Sequence, residues 1–218
     1  MASETINKLI EITRKRGFRE GFRYLRGKIN STKKYYVFRH NLENIPDFNL
    51  KSDKYSIMEI NDIESDLFKQ ILEVWPSDDT KPNNLENVTE VLRESSKTGA
   101  MCFALVYENC VVGATWYYLP NNYYLHFKIP YQPGDYISTW TFIVPNHRGI
   151  GGSKYMKTCC LRTAKERGIS SIVSISSMDN TPSVKMNFGV GYKAIGTIIE
   201  KYRWFRYSQV FEKSEGTV

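Results

Sequence analysis

The sequence predicts an α/β (α+β) protein built on one mixed, mostly antiparallel sheet with helices on both faces. Two observations carry that expectation. Between Met101 and Ile129, β-rich runs follow one another across short turns, the pattern of an antiparallel meander. From Tyr136 onward, strands alternate with helical patterns, as in a parallel pair joined by a crossover helix. At 218 residues, with 41% apolar and 24% charged, the chain can bury a sizeable core and still carry an appendage.

Residues 5–29 read as one basic helix. Ile6, Leu9, Ile10, Phe18, Phe22, Leu25 and Ile29 fall mostly at spacings of three and four, giving an apolar stripe. Gly17 and Gly21 weaken it, each by roughly 1 kcal/mol against Ala. Tyr35–Arg39 is a short strand, and a polar linker runs to Lys54. The expected division is 1–50 as basic helix and linker, and 51–218 as the main domain.

Tyr55–Ile60 alternates like a strand, Asp62–Trp75 is helix-like, Pro76–Asn84 is a loop, and Leu85–Ser96 is a second helix. Cys102–Tyr107 and Val111–Leu119 form a hairpin over the two-residue turn Glu108-Asn109. Tyr123–Ile129 is a further strand, and Gln132-Pro133-Gly134 breaks the chain before the strand Tyr136–Val144. A helix over Gly151–Arg167 stops at Gly168. Ser171–Ser176 is a strand. Thr181–Phe188 is a helix opened by Asn180 and Pro182. Ile195–Glu200 and Trp204–Phe211 close the sheet.

Charge excludes one function class. Residues 1–40 hold eleven Lys/Arg against three acids, a net +8, while the other 178 residues carry a net −1. The basic pI belongs to the N-terminal segment, so nucleic acid is not expected as a partner. That segment instead suggests packing on the body or a second subunit (a homodimer), contact with a membrane surface or another polyanion, or disorder. No run approaches the roughly 18–20 apolar residues of a membrane span, and the first residues lack a secretory core, so a cytoplasmic location is expected. Four cysteines, two of them adjacent, and three scattered histidines argue against a metal site.

The most informative stretch is Phe142-Ile143-Val144-Pro145-Asn146-His147-Arg148-Gly149-Ile150-Gly151-Gly152-Ser153-Lys154. A strand ends at proline, a glycine-rich turn follows, and a helix begins. Such a turn points several N–H groups at one spot beside a helix N-terminus, which suits a pyrophosphate. Two rival motifs fail on spacing. A P-loop needs Gly-Lys-Ser/Thr where Ser153 precedes Lys154. A dinucleotide fingerprint from Gly149 needs Gly or Ala at Lys154.

The stretch resembles motif A of the GNAT superfamily of N-acetyltransferases, Pro-x-x-Arg/Gln-x-x-Gly-x-Gly/Ala. Pro145, Arg148 and Gly151 match, and Ser153 departs by one small residue. The family's next helix typically reads Asn-x-x-Ala-x-x-Leu-Tyr, then Gly-Phe. Asn180, Ser183, Met186, Asn187, Gly191 and Tyr192 stand at those positions. The resemblance covers about 55–210 and implies a six- to seven-stranded sheet splayed in the middle. It implies acetyl-CoA, or another acyl-CoA, as co-substrate and a small-molecule amine as acceptor.

On this resemblance, main-chain groups of Phe142, Ile143 and Val144 meet pantetheine. Amides of Arg148, Gly149, Ile150, Gly151, Gly152 and Ser153 hold the pyrophosphate. Asn180 and Ser183 lie toward the thioester. The family's frequent tyrosine acid falls on Asn187, whose amide cannot deliver a proton. Either the thiolate leaves without a strong acid, or Tyr155 or Tyr192 substitutes, or the chain binds acyl-CoA without catalysis, as a sensor or scaffold. His126 and Asp135 are the candidate bases, with hairpin polarity as their alternative role. His147 faces phosphate or solvent. The aromatic run Trp116, Tyr117, Tyr118, Tyr123, Tyr124, Tyr131 is either core or a stacking wall for a sugar ring. With the basic extension, also similar to that of polysaccharide-modifying relatives, it makes an amino sugar of surface polysaccharide synthesis the first acceptor to consider. An amino acid, a polyamine or a protein amine is the alternative.

Overall fold

Gly17 sets the shape of the N-terminus. Its φ of +86° ends one helix and redirects the chain into the next, so the single helix expected over 5–29 is two: α1 (Ala2–Arg16) and α2 (Phe18–Ile29). Gly21 lets the two helices touch, since a Cβ there would stand 2.0 Å from Thr13 Oγ1. The expected single stripe is therefore divided. Leu9 and Leu25 are half-buried, while Ile6, Ile10, Phe18 and Phe22 are exposed.

The structure, a computed structural model, describes residues 2–50, 52–75, 89–90, 93–94, 96–120, 127, 129–203 and 206–214. Helix α2 runs straight into β1 (Asn30–His40), a longer strand than the one expected at Tyr35–Arg39. Then come β2 (Tyr55–Ile60), α3 (Asp66–Glu73), β3 (Met101–Tyr107), β4 (Cys110–Tyr118) and β5 (Asp135–Ile143). A single 3₁₀ turn, Pro145–His147, leads to α4 (Gly152–Glu166), β6 (Ser171–Ser177), α5 (Thr181–Gly189), β7 (Lys193–Arg203) and β8 (Arg206–Lys213). The helix expected over Leu85–Ser96 lies in part, and the strand expected over Tyr123–Ile129 in large part, outside the described residues.

The sheet order is β2-β3-β4-β5-β6-β1-β7-β8. Among the described strands only β5 and β6 run parallel; every other neighbouring pair is antiparallel. The described residues give the sheet eight strands, where the family resemblance implies six or seven. Strand β1 comes from the segment set apart as 1–50, yet it pairs with β6 on one edge and β7 on the other. We therefore propose dividing the chain at β1: a helical hairpin before Asn30 and a sheet domain from Asn30 onward.

Strand alternation fills both faces. Cys102, Ala104 and Val106 point to α3 and its Phe68 and Ile71; Trp116 and Tyr118 join them. Met101, Phe103 and Tyr117 point the other way, to Cys160, Leu161 and Ala164 of α4. Leu105 reaches Met156 on that same face. Trp116, Tyr117 and Tyr118 are thus core residues, each at most 2% exposed. No helix among the described residues is long and apolar enough to cross a membrane.

Candidate functional site

Strands β5 and β6 part in the middle of the sheet. They pair only from Asp135–Ser171 to Ser138–Ser174. Beyond that rung each follows its other neighbour. Strand β5 stays with β4 as far as Ile143–Gly113, and β6 stays with β1 as far as Ser177–Tyr35. The β4–β5 register shifts by one residue between Ala114 and Trp116, a bulge at the level where the fork opens. Trp140 lies there with φ of +21°, a backbone region that an aromatic residue rarely adopts.

Strand β5 delivers the chain to the phosphate-type turn at the open end of the fork. Gly149 and Gly151 both take the left-handed conformation, at φ +83° and +86°. A Cβ at either would meet nothing within 4 Å, so the space in front of them is open. Gly152 is glycine for another reason. Its Cβ would stand 2.7 Å from Leu105 Cδ2 and 3.0 Å from Ile143 Cδ1, so it lets α4 sit down on the sheet. The first intrahelical donor of α4 is Tyr155, to Gly151. The amides of Gly152, Ser153 and Lys154 are free of helical partners, as at any helix start. Open space, free amides and the helix dipole fit a pyrophosphate.

Part of the expected main-chain capacity is already used. The Val144 amide donates to Val112 at 2.9 Å, and the Ile143 carbonyl accepts Arg148 Nε at 2.8 Å. His147 is half-buried beside the turn: Nδ1 lies 2.9 Å from the Tyr55 hydroxyl, and its ring packs on Tyr107 at 4.9 Å.

The second motif closes the inner end of the fork. Asn180 caps α5, its Oδ1 accepting from the Ser183 amide at 3.2 Å. Ser183 Oγ lies 2.9 Å from Ser176 Oγ on β6. Asn187 is fully buried and donates from Nδ2 to Ser176 Oγ at 3.0 Å. Its Oδ1 accepts from Lys157 Nζ at 2.9 Å. Tyr192, 2% exposed, lays its ring 5.1 Å from Lys157 Nζ, and burial pushes its phenol far up, away from donating a proton.

The structure separates one candidate base, Asp135, from this centre. Asp135 is fully buried at the opposite end of β5 from the turn, about 26 Å away along an eight-residue extended span. Its carboxylate is taken by Arg39 at 2.7 Å, by the Gln132 amide at 2.7 Å and by the Ser171 hydroxyl. That anchors the closed end of the fork. His126 lies outside the described residues.

Lys157 is the residue that sequence reading missed. Residues 153, 156, 157, 160, 161 and 164 repeat at helical spacing, and from Met156 to Ala164 this face is buried. A lysine inside that stripe was the available signal. It is 2% exposed, donates also to Ser138 Oγ at 3.0 Å, and burial pushes its amine down to about 7.

Comparison with known proteins agrees with this geometry. Residues 60–192 match the family model described as the acetyltransferase (GNAT) family, more than half of the chain. No curated protein matches. Among solved structures, a GCN5-related N-acetyltransferase from Sphaerobacter thermophilus superposes with TM-score 0.59 at 10% identity, over 93% of this chain and 59% of that one. A functionally unknown conserved protein from Staphylococcus epidermidis gives 0.56 at 12%, over 89% and 67%. A tandem GNAT protein from the clavulanic acid biosynthesis pathway gives 0.55 at 14%, over 89% and 58%. At these identities the likeness is one of fold, and the chain spans roughly half to two thirds of each.

Proposed function

Because the chain belongs to the GNAT acetyltransferase family, we propose that it moves an acetyl group from acetyl-CoA to a primary amine of a small molecule. The observation that carries this reading is the fork between β5 and β6, with an open turn of free amides at its mouth. In it, the amides from Gly149 to Ser153 hold the pyrophosphate, with Arg148 beside them. Pantetheine lies along Phe142 and Ile143, and the thioester reaches the row of Ser138, Asn187 and Ser176. A lysine-like amine must first lose a proton, which costs roughly 4–5 kcal/mol at pH 7. A main-chain N–H at the Trp140 bulge would face the developing oxyanion.

An amino sugar remains the first acceptor to try, although Trp116, Tyr117 and Tyr118 lie in the core and Tyr131 packs on the cluster of Val37, Ile129, Val173 and Ile198; Tyr123 and Tyr124 lie outside the described residues. Asn187 favours a second reading, binding of acyl-CoA without transfer. One experiment tests both. Acetyl-CoA should raise the melting temperature, and CoA should be released when amines are supplied. No thermal shift sinks both readings; a shift with no release across a broad amine panel leaves the second.

The four described cysteines are all free, which suits the cytoplasm. The hairpin α1–α2 exposes Ile6, Ile10, Phe18 and Phe22 among basic residues. We assign this face to an anionic membrane surface, with a second subunit as the competing occupant. Phe18→Asp/Phe22→Asp should lose sedimentation with anionic liposomes; equal pelleting would reject the assignment.

A further inference from the structure

The polar side chains at the inner end of the fork form one connected row. It begins at Ser138, the last residue of β5 paired to β6. Lys157 Nζ bridges Ser138 Oγ and Asn187 Oδ1, Asn187 Nδ2 reaches Ser176 Oγ, and Ser176 meets Ser183. The row therefore crosses from one diverging strand to the other by way of α4 and α5. In the acetyl-transfer reading, a thioester entering between the strands would approach this row.

Among the described residues, the ammonium in this row has no carboxylate partner. The titratable groups that face it are Tyr192 and Cys160 of α4 itself, with Tyr117 of β4 behind them against Cys160 and Tyr192. Burial raises all three, so each is neutral near pH 7. The neighbours from β5 and α5 are a hydroxyl and an amide oxygen, which accept hydrogen bonds but carry no charge. Tying β5 to α5 would need only a neutral donor such as glutamine. A buried amine without a counter-ion is a costly way to do it.

We propose that Lys157 is the acid that protonates the sulfur leaving the thioester, working beside Asn187, whose amide oxygen holds the ammonium in place. This rests on the acetyl-transfer reading above. The attacking nitrogen forms a bond to the acetyl carbon, and the carbonyl π pair moves to oxygen. When the carbonyl re-forms, the C–S bond breaks and sulfur keeps that pair. Sulfur then takes a proton from Lys157 Nζ, giving the CoA thiol. The nitrogen loses its surplus proton to water, and Lys157 regains one from water after CoA leaves. Lys157 near neutrality is matched to this exchange, since it gives up a proton readily around pH 7.

The test needs no knowledge of the acceptor. CoA is bound to the full-length protein, and its thiol is titrated by the ultraviolet absorbance of the thiolate, with free CoA alongside. In the wild type, thiolate and Lys157 ammonium should form an ion pair in which the thiolate holds the proton on the lysine, so the bound thiol should ionise at least about one pH unit below free CoA, a tenfold gain in thiolate. In Lys157→Met that lowering should vanish while CoA still binds. A thiol that titrates alike in both proteins overturns the proposal. If Lys157→Met does not fold, the wild type decides alone: a bound thiol titrating at or above free CoA overturns it. Failure of CoA to bind at all overturns the acetyl-transfer reading itself. Once an acceptor is known, Lys157→Met should lower kcat by about 100-fold or more, with KM for acetyl-CoA within about threefold. It should also abolish the fall in kcat as pH rises through the Lys157 ionisation; retention of that fall overturns the proposal.

Discussion

At Asn187 an amide stands where the family most often has a tyrosine, and a lysine from the neighbouring helix stands against it. The consequence for stability can be worked out in sign. Unfolded, Lys157 keeps its proton to about pH 10.4. Folded, it gives the proton up at about 7. Between those values the unfolded chain binds more protons, so stability rises with pH; below 7 both forms are protonated and the slope disappears. Against Lys157→Met, which cannot titrate, wild-type stability should gain about 2 kcal/mol between pH 7 and 9. Urea melts at the two pH values measure this, and parallel pH dependence in the two proteins would refute it. The turn glycines separate by mechanism. Gly151→Ala meets open space and should cost only the left-handed backbone, about 1–2 kcal/mol, while raising KM for acetyl-CoA. Gly152→Ala drives a methyl against Leu105 and should cost about 1–3 kcal/mol by overpacking. Denaturant melts of both should show the difference in stability, and acetyl-CoA titration the difference in binding.

Elements with a local cause were legible in the sequence. The turn Glu108-Asn109 has positive φ at both residues, 45° and 69°, as a two-residue hairpin loop requires. Asn180 caps α5, and Gly168, at φ +71°, ends the α4 region as expected. Helix α3 starts later than the pattern from Asp62 predicts, because Ser65 is its cap and accepts from the Phe68 amide at 3.2 Å. Ser65→Ala should cost about 1 kcal/mol, read from the shift in denaturation midpoint. The N-terminal helix divides in two for a reason equally local. Helix propensity counts Gly17 only as a weak residue, whereas its φ ends the helix outright. Gly21→Val should prise α1 from α2, because even a Cβ there collides with Thr13. Faster proteolysis of α1, with an unchanged melt of the sheet, is the expected result.

At the scale of the whole molecule, β1 matters most. It lies inside the sheet between β6 and β7, and its Val37 and Phe38 are fully buried, one on each face. Removing residues 2–29 should leave a cooperative thermal transition. Removing 2–40 should abolish it, because β6 and β7 each lose a full antiparallel partner. A cooperative melt of the longer truncation would show that the sheet can close without β1. The sequence by itself determined the alternating strands of both faces, the hairpin, the glycine turn and the order of the two motifs. Each rests on neighbours within a few residues, where period, cap and φ act. Tertiary structure alone decided which strand lies beside which, where the fork opens, that Asp135 is spent on Arg39, and that Lys157 meets Asn187. The last two contacts join residues 96 and 30 positions apart. No local periodicity encodes them, because they follow from how the two faces of one sheet are buried together.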